Sequence, residues 1–291
     1  MFDVLLARWK QGYRTTRYPA GPPPELPERF AGRPVLDAAK CTGECQQCVA
    51  VCPTGAIACG QTGDRLQLDI GRCLFCRQCE TACNAGAIAF SRDYQMAASR
   101  RDDLVVCDAA SLLKKGTGSD PTGANTGKNS RCEVPVPLFQ QAATRHAAGA
   151  LDDASRRLFG RSLKLRQVSA GGCNACETDT NVLGTVAWDL GRFGIQFVAS
   201  PRHADGLLIT GPVPENMRLA LQKTYEAVPW PKLVITVGAC AISGGPYVDR
   251  SEVHNGAANL VPVDLFIPGC PPHPLTILDG LLTLLGRVSV R

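Results

Sequence analysis

The sequence predicts a small cysteine-rich α+β unit followed by an α/β domain built on a parallel sheet. Three observations predict it. Nine of the 15 cysteines fall within residues 41–83, that window contains an internal repeat, and buried-strand patterns alternate with helical ones from Leu163 onward. A length of 291 residues suits about two domains. With 45% hydrophobic and 20% charged residues, a packed core is expected, and wholly disordered, collagen-like or coiled-coil chains are excluded. The net charge of +5 is modest and unclustered, so nucleic acid is not an expected partner.

The N-terminus, MFDVLLARWKQGYRTTRYP, lacks the apolar stretch and small-residue cleavage site of an export signal. Arg100-Arg101 and Arg156-Arg157 are internal. A reducing cytoplasm is therefore expected, with thiols that bind metal instead of forming disulfides. No apolar run approaches the roughly 18–20 residues of a membrane span, and Asp279 interrupts the C-terminal one.

Residues 1–40 read as a lead-in. Phe2, Leu5, Leu6 and Trp9 fall at helical spacing beside Arg8 and Lys10. This helix is expected to pack on its own domain or a partner, and its composition also suits a foot on a membrane surface. The Pro-rich GPPPELPERFAGRP that follows predicts extended chain.

Residues 41–95 read as the cysteine-rich domain. CVAVCPTGAIA (Cys48–Ala58) aligns with CETACNAGAIA (Cys79–Ala89) at an offset of 31 residues, so two copies of one unit imply two copies of one site. Cys41-x3-Cys45-x2-Cys48-x3-Cys52-Pro53 and Cys73-x2-Cys76-x2-Cys79-x3-Cys83 are close to the C-x2-C-x2-C-x3-C-P run that holds 4Fe–4S clusters. Three thiolates on one tight loop can cap three irons of a cubane, and the fourth cysteine serves the other cubane. This assigns Cys41, Cys45, Cys48 and Cys83 to one cluster, and Cys73, Cys76, Cys79 and Cys52 to the other. Structural zinc sites also take four cysteines but usually pair two distant C-x2-C elements, unlike four cysteines within 12 residues, twice. Two departures stand out: the extra residue between Cys41 and Cys45, and Asn84 in place of the following proline.

Residues 114–133, KKGTGSDPTGANTGKNSRCE, have the composition of a linker. A helical stretch is expected around Phe139–Phe159, within a second domain spanning 138–291. There, SLKLRQV, IQFVAS, DGLLITG, KLVITVG and VDLFIPG read as buried strands, and Asn181–Phe193, Glu215–Ala227 and Leu275–Leu285 as helices.

Four more cysteines follow three of these strands. Cys173-x2-Cys176 comes after SLKLRQV, Cys240 after KLVITVG and Cys270 after VDLFIPG. Loops at the carboxyl ends of parallel strands line one crevice, so the four are expected to meet around a third 4Fe–4S cluster. Gly171, Gly172, Gly238, Gly244, Gly245 and Gly269 would let backbone approach it. Taken singly, Cys240 and Cys270 would read as buried core thiols. Cys59, Cys107 and Cys132 are expected not to be ligands. His146, His203, His254 and His273 read mainly as structural, with His203 and His273 on loops where they could tune the third cluster or carry a proton. There is no Ser–His–Asp set and no set of nickel-ligating cysteines, and GTGSDPTGANTGK lacks Walker spacing.

Together GRSLKLRQVSAGGCNACE, SPRHADGLLITGPV, VGACAISGG and VPVDLFIPGCPPHP resemble the small subunit of membrane-bound group 4 NiFe hydrogenases, with formate hydrogenlyase as type example. The same module is similar to the complex I 20 kDa subunit, which holds the cluster nearest quinone. This likeness covers about residues 155–290, while residues 1–95, with TTRYPAGPPP before the repeat, resemble the two-cluster subunit of the same complexes. The resemblance implies an α+β two-cluster ferredoxin-like domain fused to an α/β flavodoxin-like parallel-sheet domain. It implies electron transfer through three 4Fe–4S clusters to or from a NiFe large subunit, with no catalytic residue in this chain. It also implies membrane subunits of a complex I-like arm, an electron donor or acceptor such as formate dehydrogenase or ferredoxin, and peripheral placement on the cytoplasmic face of the inner membrane. Complex I relatives open the third ligand set with adjacent cysteines, so Cys173-Asn-Ala-Cys176 sides with hydrogenase over a complex I-like quinone oxidoreductase arm. Asp179 stands where the hydrogenase motif usually has Glu, which leaves any proton-path role open.

Overall fold

The computed structural model describes residues 2–37, 39–41, 45–59, 66–107 and 162–287. The expected linker at 114–133, the helical stretch at 139–159, Cys132 and His146 lie outside them.

Helix α1 (Phe2–Gln11) opens the chain. The Pro-rich segment after it forms no regular element before β1 (Pro34–Leu36). It runs first across the C-terminal half. The Thr16 N–H donates to Ala187 O at 2.8 Å, and Arg192 donates to Thr16 O at 2.6 Å and Tyr18 O at 2.8 Å.

The cysteine-rich unit contains α2 (Gln47–Ala50), β2 (Ile57–Cys59), β3 (Leu66–Asp69), α3 (Gln78–Ala82), β4 (Ile88–Phe90) and β5 (Val105–Val106). The repeat survives into three dimensions, since α2 and α3 start 31 residues apart, as do β2 and β4. The two strands join different antiparallel sheets: β4 pairs β1 with Leu36 opposite Ile88, and β2 pairs β3 with Ile57 opposite Leu68. Their inward residues Leu36, Ile57, Leu68 and Ile88 are all buried, as is Ile70 just after β3. Each contributes roughly 1.5–3 kcal/mol by leaving water.

The second half is a five-stranded parallel sheet of β6 (Leu163–Ser169), β7 (Ile195–Phe197), β8 (Gly206–Thr210), β9 (Leu233–Val237) and β10 (Leu265–Ile267). Its order, β10-β9-β8-β6-β7, is that of the flavodoxin-like doubly wound sheet. All five expected strands are present. The fully buried runs GLLIT and LVITV alternate between faces: Leu208 and Ile235 pack toward α7 (Pro274–Leu284), while Leu207, Ile209 and Val234 pack toward α5 (Glu215–Ala227). The helix expected at Asn181–Phe193 lies earlier, as α4 (Ala175–Val182), with a 3-10 turn at Leu190–Phe193. Asn174, held at φ 71°, lets the helix begin inside the C-x2-C pair, and Gly184 follows its end. The short α6 (Ala239–Ser243) spans too few residues for periodicity to reveal it.

The halves share more than a covalent joint. Ile242 and Phe266 of the second half belong to the apolar core of the cysteine-rich unit. Ala98 and Phe266 exchange backbone hydrogen bonds of 3.0 and 2.8 Å, and Ser243 Oγ donates to Gly71 O at 3.0 Å. No helix among the described residues is long and apolar enough to cross a membrane.

Candidate metal centres

The repeat builds two equivalent cysteine loops. Cys52 Sγ accepts the Ala56 N–H at 3.2 Å, and Cys83 Sγ accepts the Ala87 N–H at 3.2 Å. Each of these fourth cysteines leaves its own helix and turns toward the other loop. Cys52 lines one cavity with Cys73, Cys76 and Cys79, closed off by Ile57, Leu68 and Phe90. Burial pushes the Cys73 thiol up to about 12, opposed by the Phe75 N–H that bonds its sulfur at 3.3 Å, with Cys79, Cys52 and Cys76 adding to the rise. Cys79 is pushed up to about 11 by burial and by Cys52. Burial likewise raises Cys48, with Cys41, Cys83 and Cys45 as the neighbouring thiols. The groupings are therefore the crossed ones: Cys52 with the second loop, Cys83 with the first.

The third grouping forms at the carboxyl edge of the parallel sheet. Cys173 and Cys176 follow β6, Cys240 follows β9 and Cys270 follows β10. Burial raises Cys176, with Cys240, Glu177, Cys270 and Cys173 adding to it. Burial pushes Cys240 up to about 12, with Cys270, Cys173 and Glu177 contributing. Two glycines make room for these sulfurs. A Cβ on Gly238, at φ +92°, would lie 2.5 Å from Cys176 Sγ, and one on Gly245, at φ +55°, 2.8 Å from Cys240 Sγ. Cys270 is raised by burial, by Cys173 and then by Cys76, a thiol of the second grouping. The second and third groupings are thus neighbours.

Buried thiols held above their ordinary pKa stay protonated until a metal supplies compensating positive charge. Among the described residues, no three His, Cys, Asp or Glu side chains converge on a single metal ion. Four thiols around one cavity, N–H groups aimed at sulfur, and glycines where a Cβ would strike sulfur fit a larger thiolate-held cluster. In each grouping at least one cysteine stays exposed: Cys45, Cys76, and both Cys173 and Cys270.

Sequence reasoning missed one participant. Glu177 is buried, and its Oε1 accepts from Ser169 Oγ and Thr210 Oγ1, both at 2.6 Å. It fastens α4, and with it Cys176, to the ends of β6 and β8. Its position directly after Cys176 was visible, but its two hydroxyl partners come from separate strands. His273 is structural here: Nδ1 accepts the Leu275 N–H at 3.1 Å as the cap of α7, and burial lowers its pKa. His203 is exposed on a 3-10 turn, and His254 pairs with Glu215 at 2.6 Å. Burial raises the Asp179 carboxyl. Cys107 directly follows β5, and Cys59 ends β2.

Residues 173–284 match the family model described as NADH ubiquinone oxidoreductase, 20 Kd subunit. The chain is 38% identical over 133 residues to the probable membrane-bound hydrogenase subunit mbhJ of Pyrococcus furiosus, covering 46% of this chain and 80% of that one. It is 39% identical to formate hydrogenlyase subunit 7 of Escherichia coli, covering 54% of this chain and 60% of the relative. It is 43% identical over 118 residues to an NADH-quinone oxidoreductase subunit of Clostridium beijerinckii, covering 40% of this chain and 70% of the relative.

Proposed function

This chain belongs to the family of the NADH ubiquinone oxidoreductase 20 Kd subunit, and on that premise we propose that it is the iron–sulfur electron-transfer subunit of a membrane-associated NiFe hydrogenase. Its twelve grouped cysteines hold three 4Fe–4S clusters: Cys41, Cys45, Cys48 and Cys83; Cys73, Cys76, Cys79 and Cys52; and Cys173, Cys176, Cys240 and Cys270. When bound, these clusters supply one-electron redox steps. The first two make residues 41–95 a ferredoxin-like domain, joined through 114–133 to the 138–291 domain.

The observation that carries this reading is the meeting of Cys173, Cys176, Cys240 and Cys270 after three parallel strands, with the second grouping's Cys76 close enough to act on Cys270. The protein's own part is to hold and shield. Ile57, Leu68 and Phe90 give the second site an apolar wall. The N–H groups of Ala56 and Ala87 stabilise negative charge on Cys52 and Cys83. Cys173 and Cys270 remain exposed at the sheet edge, where a large catalytic subunit can dock. The C-x2-C spacing of Cys173 and Cys176 favours a hydrogenase partner over a quinone reductase. Attachment is peripheral, at the cytoplasmic face and through membrane subunits, with formate dehydrogenase or ferredoxin as electron donor or acceptor.

Anaerobic co-purification with metal analysis tests the proposal. The expected result is about twelve irons in this chain and a large partner carrying nickel. A partner without nickel, from cells supplied with nickel and its maturation factors, would support a complex I-like quinone oxidoreductase arm instead.

A further inference from the structure

An exposed apolar helix and a basic cavity adjoin at the N-terminus. α1 leaves Phe2, Val4, Leu5, Leu6 and Trp9 in solvent, Trp9 at 82% exposure. A cluster of large apolar side chains of this kind marks a surface that something covers. Lys10 on the helix and Arg14 and Arg17 just beyond it are also exposed. Directly after α1, an open cavity of about 380 Å³ is lined by Tyr13, Thr15, Thr16, Arg17 and Arg192.

The cavity is held in shape. Arg192 donates to Thr16 O at 2.6 Å and to Tyr18 O at 2.8 Å, and its guanidinium lies 4.5 Å from the Phe193 ring centroid. Thr15 Oγ1 donates to Val186 O at 2.9 Å. The exposed Arg17 guanidinium and the positive charge of the anchored Arg192, beside two threonines and with no carboxylate in the lining among the described residues, suit a phosphate. The volume falls within the usual range for small-ligand sites.

We propose that this cavity binds the phosphate headgroup of an anionic phospholipid, with α1 lying in the headgroup–acyl boundary beside it. A soluble phosphate accounts for the arginines but leaves the apolar helix uncovered. An apolar protein surface accounts for the helix but leaves the cationic cavity unmatched. A bilayer presents both chemistries side by side. The proposal goes beyond the electron-transfer reading and does not depend on it.

The test is sedimentation of the purified full chain with vesicles of phosphatidylcholine alone or mixed equally with phosphatidylglycerol. Binding to the mixed vesicles only, weakened by added salt, is expected. Trp9→Glu should abolish it. Arg17→Gln should weaken it about fivefold, and R17Q with R192Q about thirtyfold. Because Arg192 also anchors the lead-in through Thr16 O and Tyr18 O, R17Q, which leaves that anchor intact, is the deciding variant. Equal binding to neutral vesicles would overturn the proposal. So would unchanged binding by R17Q. Calorimetric binding of inorganic phosphate without vesicle binding would identify a free-anion site and overturn the lipid assignment.

Discussion

The Tyr18 hydroxyl donates a 2.5 Å hydrogen bond to Asp279 Oδ1, across 261 residues of sequence. Gln95 Nε2 donates to the same oxygen at 3.2 Å. One buried carboxylate in the C-terminal helix thus fastens the lead-in and the end of the cysteine-rich unit to the second half. Burial raises the pKa of Asp279, and the two hydrogen bonds oppose that rise.

An aspartate whose folded pKa is raised holds its proton more tightly folded than unfolded. Its stabilising contribution is complete below the unfolded value of about 3.9 and declines as pH climbs through the folded one. In D279N, Oδ1 still accepts both bonds. Thermal unfolding should find D279N at least as stable as the parent near neutral pH, with the difference narrowing toward about pH 4. D279A strips the Tyr18 hydroxyl of this acceptor and should cost about 1–3 kcal/mol. Strong destabilisation by D279N would show instead that the charge itself stabilises.

Cutting the joint should not part the halves. The linker composition of residues 114–133 suggests two separable modules. However, the Ala98–Phe266 backbone pair, the Ser243–Gly71 bond and the shared core around Ile242 hold them together independently. With a protease site engineered into 114–133, both fragments should co-elute in gel filtration after complete cleavage. Separation without denaturant would contradict the shared core.

The crossed cysteine sets predict non-additive losses of iron. C52S and C76S fall in one set, so each alone and both together should remove about four irons. C52S with C45S falls in two sets and should remove about eight. The opposite pattern would mean that each loop holds its own cluster.

Gly238→Ala should empty the third site, because its Cβ would lie 2.5 Å from Cys176 Sγ. Gly55→Ala is the control: its φ is also positive, at +58°, but nothing lies within 4 Å of the added carbon. It should cost only the backbone strain of about 1–2 kcal/mol and keep full iron. Equal iron in both variants would remove the packing argument for Gly238.

Much of this protein is legible locally. The 31-residue repeat announces two loops and two helices because each short helix and its cysteine loop form within one copy, as in Gln47–Ala50 and Gln78–Ala82. The parallel strands are legible because sequences buried on both faces, such as LVITV, must be apolar throughout. The expected helix at Asn181–Phe193 missed because an αL residue inside the C-x2-C pair starts α4 earlier than apolar spacing suggests.

By itself, then, the sequence determined the cysteine loops and the strand set, since spacing and hydrophobic periodicity are local properties of a chain. Only the tertiary structure decided what lies beside what. It brought Cys76 near Cys270, set two strand hydroxyls on Glu177 behind Cys176, and seated the Tyr18 lead-in against Asp279. These pairings join segments far apart in the chain. Their partners are chosen by the sheet order and by the packing of two cores into one, which no local pattern encodes.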